Sequence, residues 1–155
     1  MVIAVGKPGA RLADAIAVYE RRAARYWPIE FLEVRQEPAR GRTVEQIRDA
    51  EGARLLARVP RSFERVVLTR TGGDAWSSSS LARHLDGMAT RGAAGVAFLI
   101  GGAQGLSEQL IREADRRMRL STFTLPHDVA RLLIAEQLYR AGTIVRGEPY
   151  HKGLE

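Results

Sequence analysis

A chain of 155 residues without cysteine excludes a disulfide framework, thiol chemistry and cysteine-based zinc sites, and its length fits a single domain, residues 1–155, with a sizeable core. The net charge of +6, carried by arginine far more than lysine, suits phosphate-rich partners; an arginine-rich composition alone leaves nucleic-acid contact open. No run approaches the roughly 18 apolar residues of a membrane span, and the opening MVIAVGKPGA lacks the regions of a signal peptide, so a soluble cytoplasmic protein is expected.

Val2 to Val5 predicts a first strand, ended by the turn Gly6-Lys7-Pro8-Gly9. Leu12, Ala15, Ile16, Tyr19, Ala23 and Tyr26 then recur at the spacing of one helical face, and Pro28 stops that helix. Ile29 to Val34 predicts a second strand, followed by a polar, exposed loop from Gln36 to Arg42. Thr43 with Gln46 three residues on is a capping-box pattern, opening a helix that carries Ile47, Leu55, Leu56 and Val59 and ends at Pro60. Val66 to Thr69 predicts a third strand, Thr71 to Asp74 its turn, and the serines Ser77 to Ser80 an N-cap for a helix over Leu81 to Arg91.

Val96 to Gly101 has no polar alternation, as expected of a strand buried on both faces. Gly101, Gly102 and Gly105 follow it, where missing Cβ atoms let backbone pass close to a ligand or to another strand. Ser107 is the expected N-cap of a helix from Glu108 to Met118. A short strand around Leu120 to Phe123 and a long helix from His127 to Val145 complete the chain. The βα alternation predicts an α/β fold with a parallel or mostly parallel sheet covered on both faces, and ligands in such sheets sit beyond the carboxyl ends of strands. Three loops qualify: Thr69 to Asp74, Gly101 to Gly105, and Thr124 to His127.

The glycine turn is neither a P-loop nor a dinucleotide fingerprint, since it lacks the Gly-Lys-Ser/Thr ending and the first-glycine spacing. Pro126 pushes Thr124-Leu125 into extended geometry that presents backbone groups of Leu120 to Leu125 to a ligand. His127 reads first as a helix cap and second as an acid/base group. Glu136 and Arg140, four apart, read as a solvated ion pair. The tail Gly147 to Lys152 reads as frayed by default, although Tyr150 and His151 side by side also offer an aromatic contact and a proton-handling group.

Taken together, LIGGAQGLS, LSTFTLPH, ARLLIAEQLYRA and GEPYHK resemble the RlmH family of SPOUT methyltransferases over nearly the whole chain. That resemblance implies a SPOUT-type α/β fold, a mostly parallel sheet flanked by helices with a C-terminal trefoil knot, and a homodimer. It implies S-adenosyl-L-methionine as methyl donor, held largely by backbone at Thr69, at Gly101 and Gly102, and at Leu120, Ser121, Thr122, Phe123, Thr124 and Leu125. No metal and no membrane enter. The implied reaction is methylation at N3 of a pseudouridine of large-subunit ribosomal RNA, on the assembled ribosome. Thr69 stands where the family commonly has leucine, Arg70 where an acidic residue is frequent, and Asp128 where glutamine is frequent.

The N3 imide proton must leave before or during attack, and the polar groups nominated for that step are His151, Tyr150, Arg140 and His127, with Glu136 as an orienting group. Arg21, Arg22, Arg25, Arg112, Arg116, Arg117 and Arg119 are candidates for phosphate contact. Two other readings stay open from the letters alone: a sister SPOUT enzyme acting on another nucleotide, and a noncatalytic ribosome-binding factor.

Overall fold

Short apolar runs separated by amphipathic helices can bury both faces of a sheet only if every crossover covers it. The computed structural model, which describes residues 1–151, has that layout. In chain order the elements are β1 (Val2–Val5), α1 (Ala10–Ala23), β2 (Phe31–Val34), α2 (Val44–Leu56), β3 (Glu64–Leu68), β4 (Asp74–Ala75), α3 (Ser78–Thr90), β5 (Val96–Ile100), α4 (Glu108–Glu113), β6 (Arg116–Arg119) and α5 (His127–Val145), closed by a 3₁₀ turn over Pro149–His151. The strands form one sheet in the order β2-β1-β5-β3-β6-β4, and every pairing is parallel.

Alternate side chains of the central strands feed two cores. Val2, Ala4, Val66, Phe98 and Ile100 face one side, under Ala23 of α1, Leu81 of α3 and Ile134 and Leu138 of α5. Ile3, Val5, Val67, Ala97 and Leu99 face the other, under Leu55 of α2 and Leu110 of α4. Local signals act as expected: Thr43 and Gln46 exchange both hydrogen bonds of the capping box, and the hydroxyls of Ser77 and Ser107 accept from the amides of Ser80 and Leu110. No helix among the described residues is long and apolar enough to cross a membrane.

Two expectations fail in the stretch 108–123. The helix begun at Glu108 stops at Glu113, not Met118, and the strand lies at Arg116–Arg119, leaving Leu120 to Phe123 irregular. Asp115 is the reason. Its amide donates to the carbonyl of Arg65 at 3.0 Å and its carboxylate accepts the Arg65 amide at 2.7 Å, which draws the chain off the helix and alongside β3. The run RRMR carries no apolar alternation because only Met118 points into the core.

Arg131 of α5 is 6% exposed, with Nε 2.7 Å from Glu20 of α1 and Nη1 2.7 Å from Glu33 of β2. This bidentate clasp ties three elements through one guanidinium. Removing one member of a buried ion pair costs about 3–5 kcal/mol, and here the lower end applies because both carboxylates keep some access to water. Arg131→Ala should therefore lower the urea-unfolding free energy by about 3 kcal/mol, and Arg131→Met by less, since the methionine refills the apolar part of the space.

Candidate functional site

Because β5, β3 and β6 are adjacent and parallel, the loops that follow them emerge side by side at one edge. They wall a cavity of about 560 Å³, well within the range of small-molecule sites. Thr69 to Thr71 line it after β3, Gly101 to Ala103 with Gly105 and Leu106 after β5, and Leu120, Ser121 and Phe123 to Pro126 after β6, with His127 and Ala130 of α5. Leu68, Ile100, Leu106 and Leu125 supply apolar wall, and Arg48, Arg70, Ser121 and His127 are among the polar residues that line it.

Each loop is held in shape by named contacts. The Thr69 amide donates to the Met118 carbonyl at 2.8 Å, and its hydroxyl donates to the Gly72 carbonyl at 2.8 Å, so threonine closes the turn that it opens. In the glycine turn the Gly105 amide donates to the Gly102 carbonyl at 3.0 Å. A Cβ at Gly101 would stand 3.0 Å from the Gly105 carbonyl, and Gly105 itself has φ +95°, so the tight return requires glycine at both positions. Two guanidinium groups brace the outside of this turn: Arg48 Nε donates to the Gln104 carbonyl at 2.7 Å, and Arg70 Nη2 to the same oxygen at 3.3 Å. In the third loop the Ser121 hydroxyl accepts the Phe123 amide at 2.9 Å, turning the Phe123 ring, 79% exposed, toward the mouth.

Eight of the nine residues predicted to hold the donor line this cavity: Thr69, Gly101, Gly102, Leu120, Ser121, Phe123, Thr124 and Leu125. Thr122 is exposed and does not line it. His127 lines the cavity but caps nothing; Pro126 is the N-cap residue, the first-turn amide of Val129 donates to the Asp128 carboxylate at 2.9 Å, and His127 Nε2 lies 3.5 Å from the Lys7 carbonyl. The capping role expected for His127 therefore gives way to a place at the pocket. Among the described residues no group of histidine, aspartate or glutamate side chains could hold a metal.

The other nominated polar groups gather elsewhere. Glu136 and Arg140 lie about 13 and 20 Å along α5 from His127, at 1.5 Å rise per residue. They are not a solvated pair. Their side chains are 16% and 14% exposed, and one Glu136 oxygen accepts from Arg140 Nε at 3.0 Å, Arg140 Nη2 at 2.7 Å and the Tyr150 hydroxyl at 3.2 Å. The Arg140 guanidinium lies 4.8 Å from the centre of the Tyr150 ring, whose centroid stands 4.5 Å from that of Tyr139. The tail is thus seated on α5 rather than frayed as far as Pro149–His151. Burial, with Tyr19 and Glu136 nearby, pushes the Tyr150 phenol well above its ordinary value, so it is a proton-holding donor rather than a base. The side chain of His151, and Lys152 beyond it, lie outside the described residues.

The arginines proposed for phosphate contact divide by occupation. Arg112 pairs with Glu108, Arg116 with Glu64, and Arg22 stacks against Tyr19 and Tyr139. Arg21, Arg25, Arg117 and Arg119 make no ion pair among the described residues, and Arg117 and Arg119 lead directly into the pocket-lining loop at Leu120. Sequence reasoning missed Arg48 and Glu51. A signal for Glu51 existed: it occupies the face of α2 defined by Ile47 and Leu55, an acid at a core position.

The family model described as "Predicted SPOUT methyltransferase" matches residues 1–151. The chain is 49% identical over 152 residues to ribosomal RNA large subunit methyltransferase H of Gemmatimonas aurantiaca, covering 97% of each chain. It is 44% identical over 153 residues to the protein of that name from Anaeromyxobacter sp., covering 97% of each, and 40% identical over 156 residues to that of Listeria welshimeri, covering 97% of this chain and 98% of the relative. Among solved structures, a hypothetical protein matches with a TM-score of 0.52 at 16% identity, over 94% of this chain and 80% of the other, a likeness of fold alone.

A charge-assisted hydrogen bond of the kind made by Arg48 stabilises its partner by about 1.5–3 kcal/mol. Arg48→Met should accordingly raise the hydrogen-exchange rate of the Gly105 amide by about tenfold or more, and Arg70→Met by less, given its longer contact.

Proposed function

The chain belongs to the SPOUT methyltransferase family, and from that premise we propose that it methylates large-subunit ribosomal RNA at N3 of a pseudouridine, using S-adenosylmethionine bound in the three-loop pocket. The observation that carries this reading is the convergence of the loops after β3, β5 and β6 on one cavity in a chain sharing 40–49% identity with large-subunit ribosomal RNA methyltransferases. The pocket residues suit the donor. Glycine backbone and the Leu120–Leu125 segment offer amides and carbonyls to the edge of an adenine, while Leu68, Ile100 and Leu125 offer flat apolar contact to its faces.

When bound, S-adenosylmethionine supplies an electrophilic methyl group on a sulfonium. This chain's contribution is to hold it rigidly so that the RNA nitrogen approaches in line, and alignment of that kind lowers a barrier by several kcal/mol, up to about 7–11. As the N3 lone pair forms the N–CH₃ bond, the S–CH₃ bond breaks and its electron pair stays on sulfur, leaving S-adenosylhomocysteine, while the N3 proton passes to a base. His127 lines the pocket, with Nε2 3.5 Å from the Lys7 carbonyl, and its imidazole is the group nominated there to take or relay that proton. Arg140 supplies positive charge for the imide anion, Tyr150 a phenolic donor, and Glu136 orients both. His151, next in the chain after Tyr150, is the second imidazole nominated for the same step.

A separation of about 20 Å along α5 puts the Tyr150 cluster out of reach of the pocket in its own chain. The protein therefore works as a homodimer, in which the α1 and α5 faces pair and the cluster of one protomer completes the pocket of its partner. The tilted aromatic stack of Tyr19 and Tyr139 on those helices with Tyr26 and Tyr150 just beyond their ends supports such a face. The Leu120–Leu125 segment shares one cavity with the loops after β3 and β5, and α5 then packs on α1 and α3; together with the family likeness this supports a C-terminal trefoil knot. Arg117 and Arg119 contact the phosphate backbone of the assembled ribosome, and the protein acts in the cytoplasm.

Two experiments test this. Calorimetric titration with S-adenosylmethionine should saturate, and ribosomes from a strain lacking the gene, incubated with protein and donor, should gain one N3-methylpseudouridine by mass spectrometry. Binding without methylation of any pseudouridine sinks the substrate assignment. For the dimer, Gly101→Ala and Arg140→Ala proteins should each be inactive, and mixing them should restore activity above either parent; no restoration rules out action across the interface.

A further inference from the structure

A carboxyl group at a core position of a helix destabilises the fold unless something uses it. On α2, Ile47, Glu51 and Leu55 occupy successive turns of one face and are 4%, 2% and 1% exposed. One oxygen of Glu51, Oε1, accepts the backbone amide of Glu37 at 3.0 Å; the other, Oε2, is buried with no hydrogen-bond partner. What Oε2 faces is the pocket wall. A Cβ added to Gly102 would stand 2.6 Å from Oε2 and 3.1 Å from Val5 Cγ1, so the Gly102 backbone rests on the carboxyl at an approach open only to glycine.

Neighbouring positions of α2 grip the same turn. A Cβ at Gly52 would lie 2.4 Å from the Ser107 hydroxyl, and Arg48 holds the Gln104 carbonyl at 2.7 Å. Positions 48, 51 and 52 thus meet 104, 102 and 107. Of the three, Glu51 also reaches outward, to the amide of Glu37, whose carboxylate in turn pairs with Arg54 and, at 3.0 Å, with Arg42 of the exposed segment after β2.

We propose that Glu51 is a positioning residue of the methyl-donor pocket: its carboxyl, seated under Gly102 and tied to the amide of Glu37, sets where the Gly101–Gly105 turn stands and links that turn to the arginine-bearing segment 36–42. The inference rests on the reading of the cavity as the donor site. Burial pushes the Glu51 carboxyl up, with the charge of Glu37 adding to it, while the Glu37 amide, Arg54 and His127 draw it down. Glu51 touches neither donor nor RNA and acts only through Gly102.

A double-mutant cycle separates this role from a merely structural one. Taking donor binding by the wild type as reference, Glu51→Ala should raise the KM for S-adenosylmethionine about tenfold while kcat at saturating donor changes by less than about twofold. Glu51→Gln, which keeps the volume and the acceptor for the Glu37 amide, should stay within about threefold of wild type. Gly102→Ala should cost about tenfold or more when Glu51 is present and distinctly less when combined with Glu51→Ala, because the side chain it strikes is gone.

Equal losses in both backgrounds, or a Glu51→Ala protein that melts lower yet binds the donor as the wild type does, would overturn the proposal. Should Glu51→Ala fail to fold, Glu51→Asp withdraws the carboxyl from Gly102 by one methylene, and an undiminished Gly102→Ala loss in that background overturns it equally. A wild type that binds no donor would instead remove the pocket assignment on which the inference rests.

Discussion

Parallel pairing of β5, β3 and β6 is the constraint on which the rest of this molecule depends. Parallel strands start and end on the same sides of a sheet, so their outgoing loops share one edge, and here three adjacent strands deliver three loops to one cavity. The register between Val67 and Leu99, and between Leu68 and Met118, sets how far each loop stands from the next. Both faces of β5 and the end of β3 are filled by apolar side chains, which makes a slip of one residue between them prohibitive, since it would exchange the two cores.

On that rigid edge the loops are shaped by close backbone approach and braced by arginine. The glycine turn folds back on itself between Gly101 and Gly105 while Arg48 and Arg70 converge on one carbonyl, that of Gln104. Charge that composition would assign wholly to a nucleic-acid partner is partly spent within the chain: Arg48 on the turn, Arg131 in the clasp between α1 and β2, Arg140 on Glu136. What remains beside the pocket is Arg117 and Arg119 on the sixth strand, a short basic approach suited to a phosphate backbone.

Helix α5 separates the pocket from the Glu136–Arg140–Tyr150 cluster. Its first turn, at His127, closes the pocket, and its later turns present Glu136 and Arg140 to Tyr150. One helix therefore carries the pocket at one end and a polar cluster at the other, joined by a stiff rod of about two and a half to three and a half turns. Beyond Gly147 the chain turns back on α5, where the Tyr150 ring meets that of Tyr139.

Much of this was legible in the letters. Apolar runs such as VAFLI announced a doubly buried strand, Thr43 with Gln46 announced a capped helix, and the family motifs pointed to pocket residues from Thr69 to Leu125, because each of these rests on local chemistry within a few residues. The end of α4 at Glu113 was not legible, since it depends on Asp115 meeting Arg65, fifty positions away, and a strand reading RRMR carries no pattern of its own. Nor could the sequence separate His127 from Arg140 and Tyr150, or reveal that Glu51 lies beneath Gly102. Local propensity determined most of the elements and which loops follow the strands; tertiary packing alone decided which polar groups share a space, because distances across the sheet follow from strand order and not from separation along the chain.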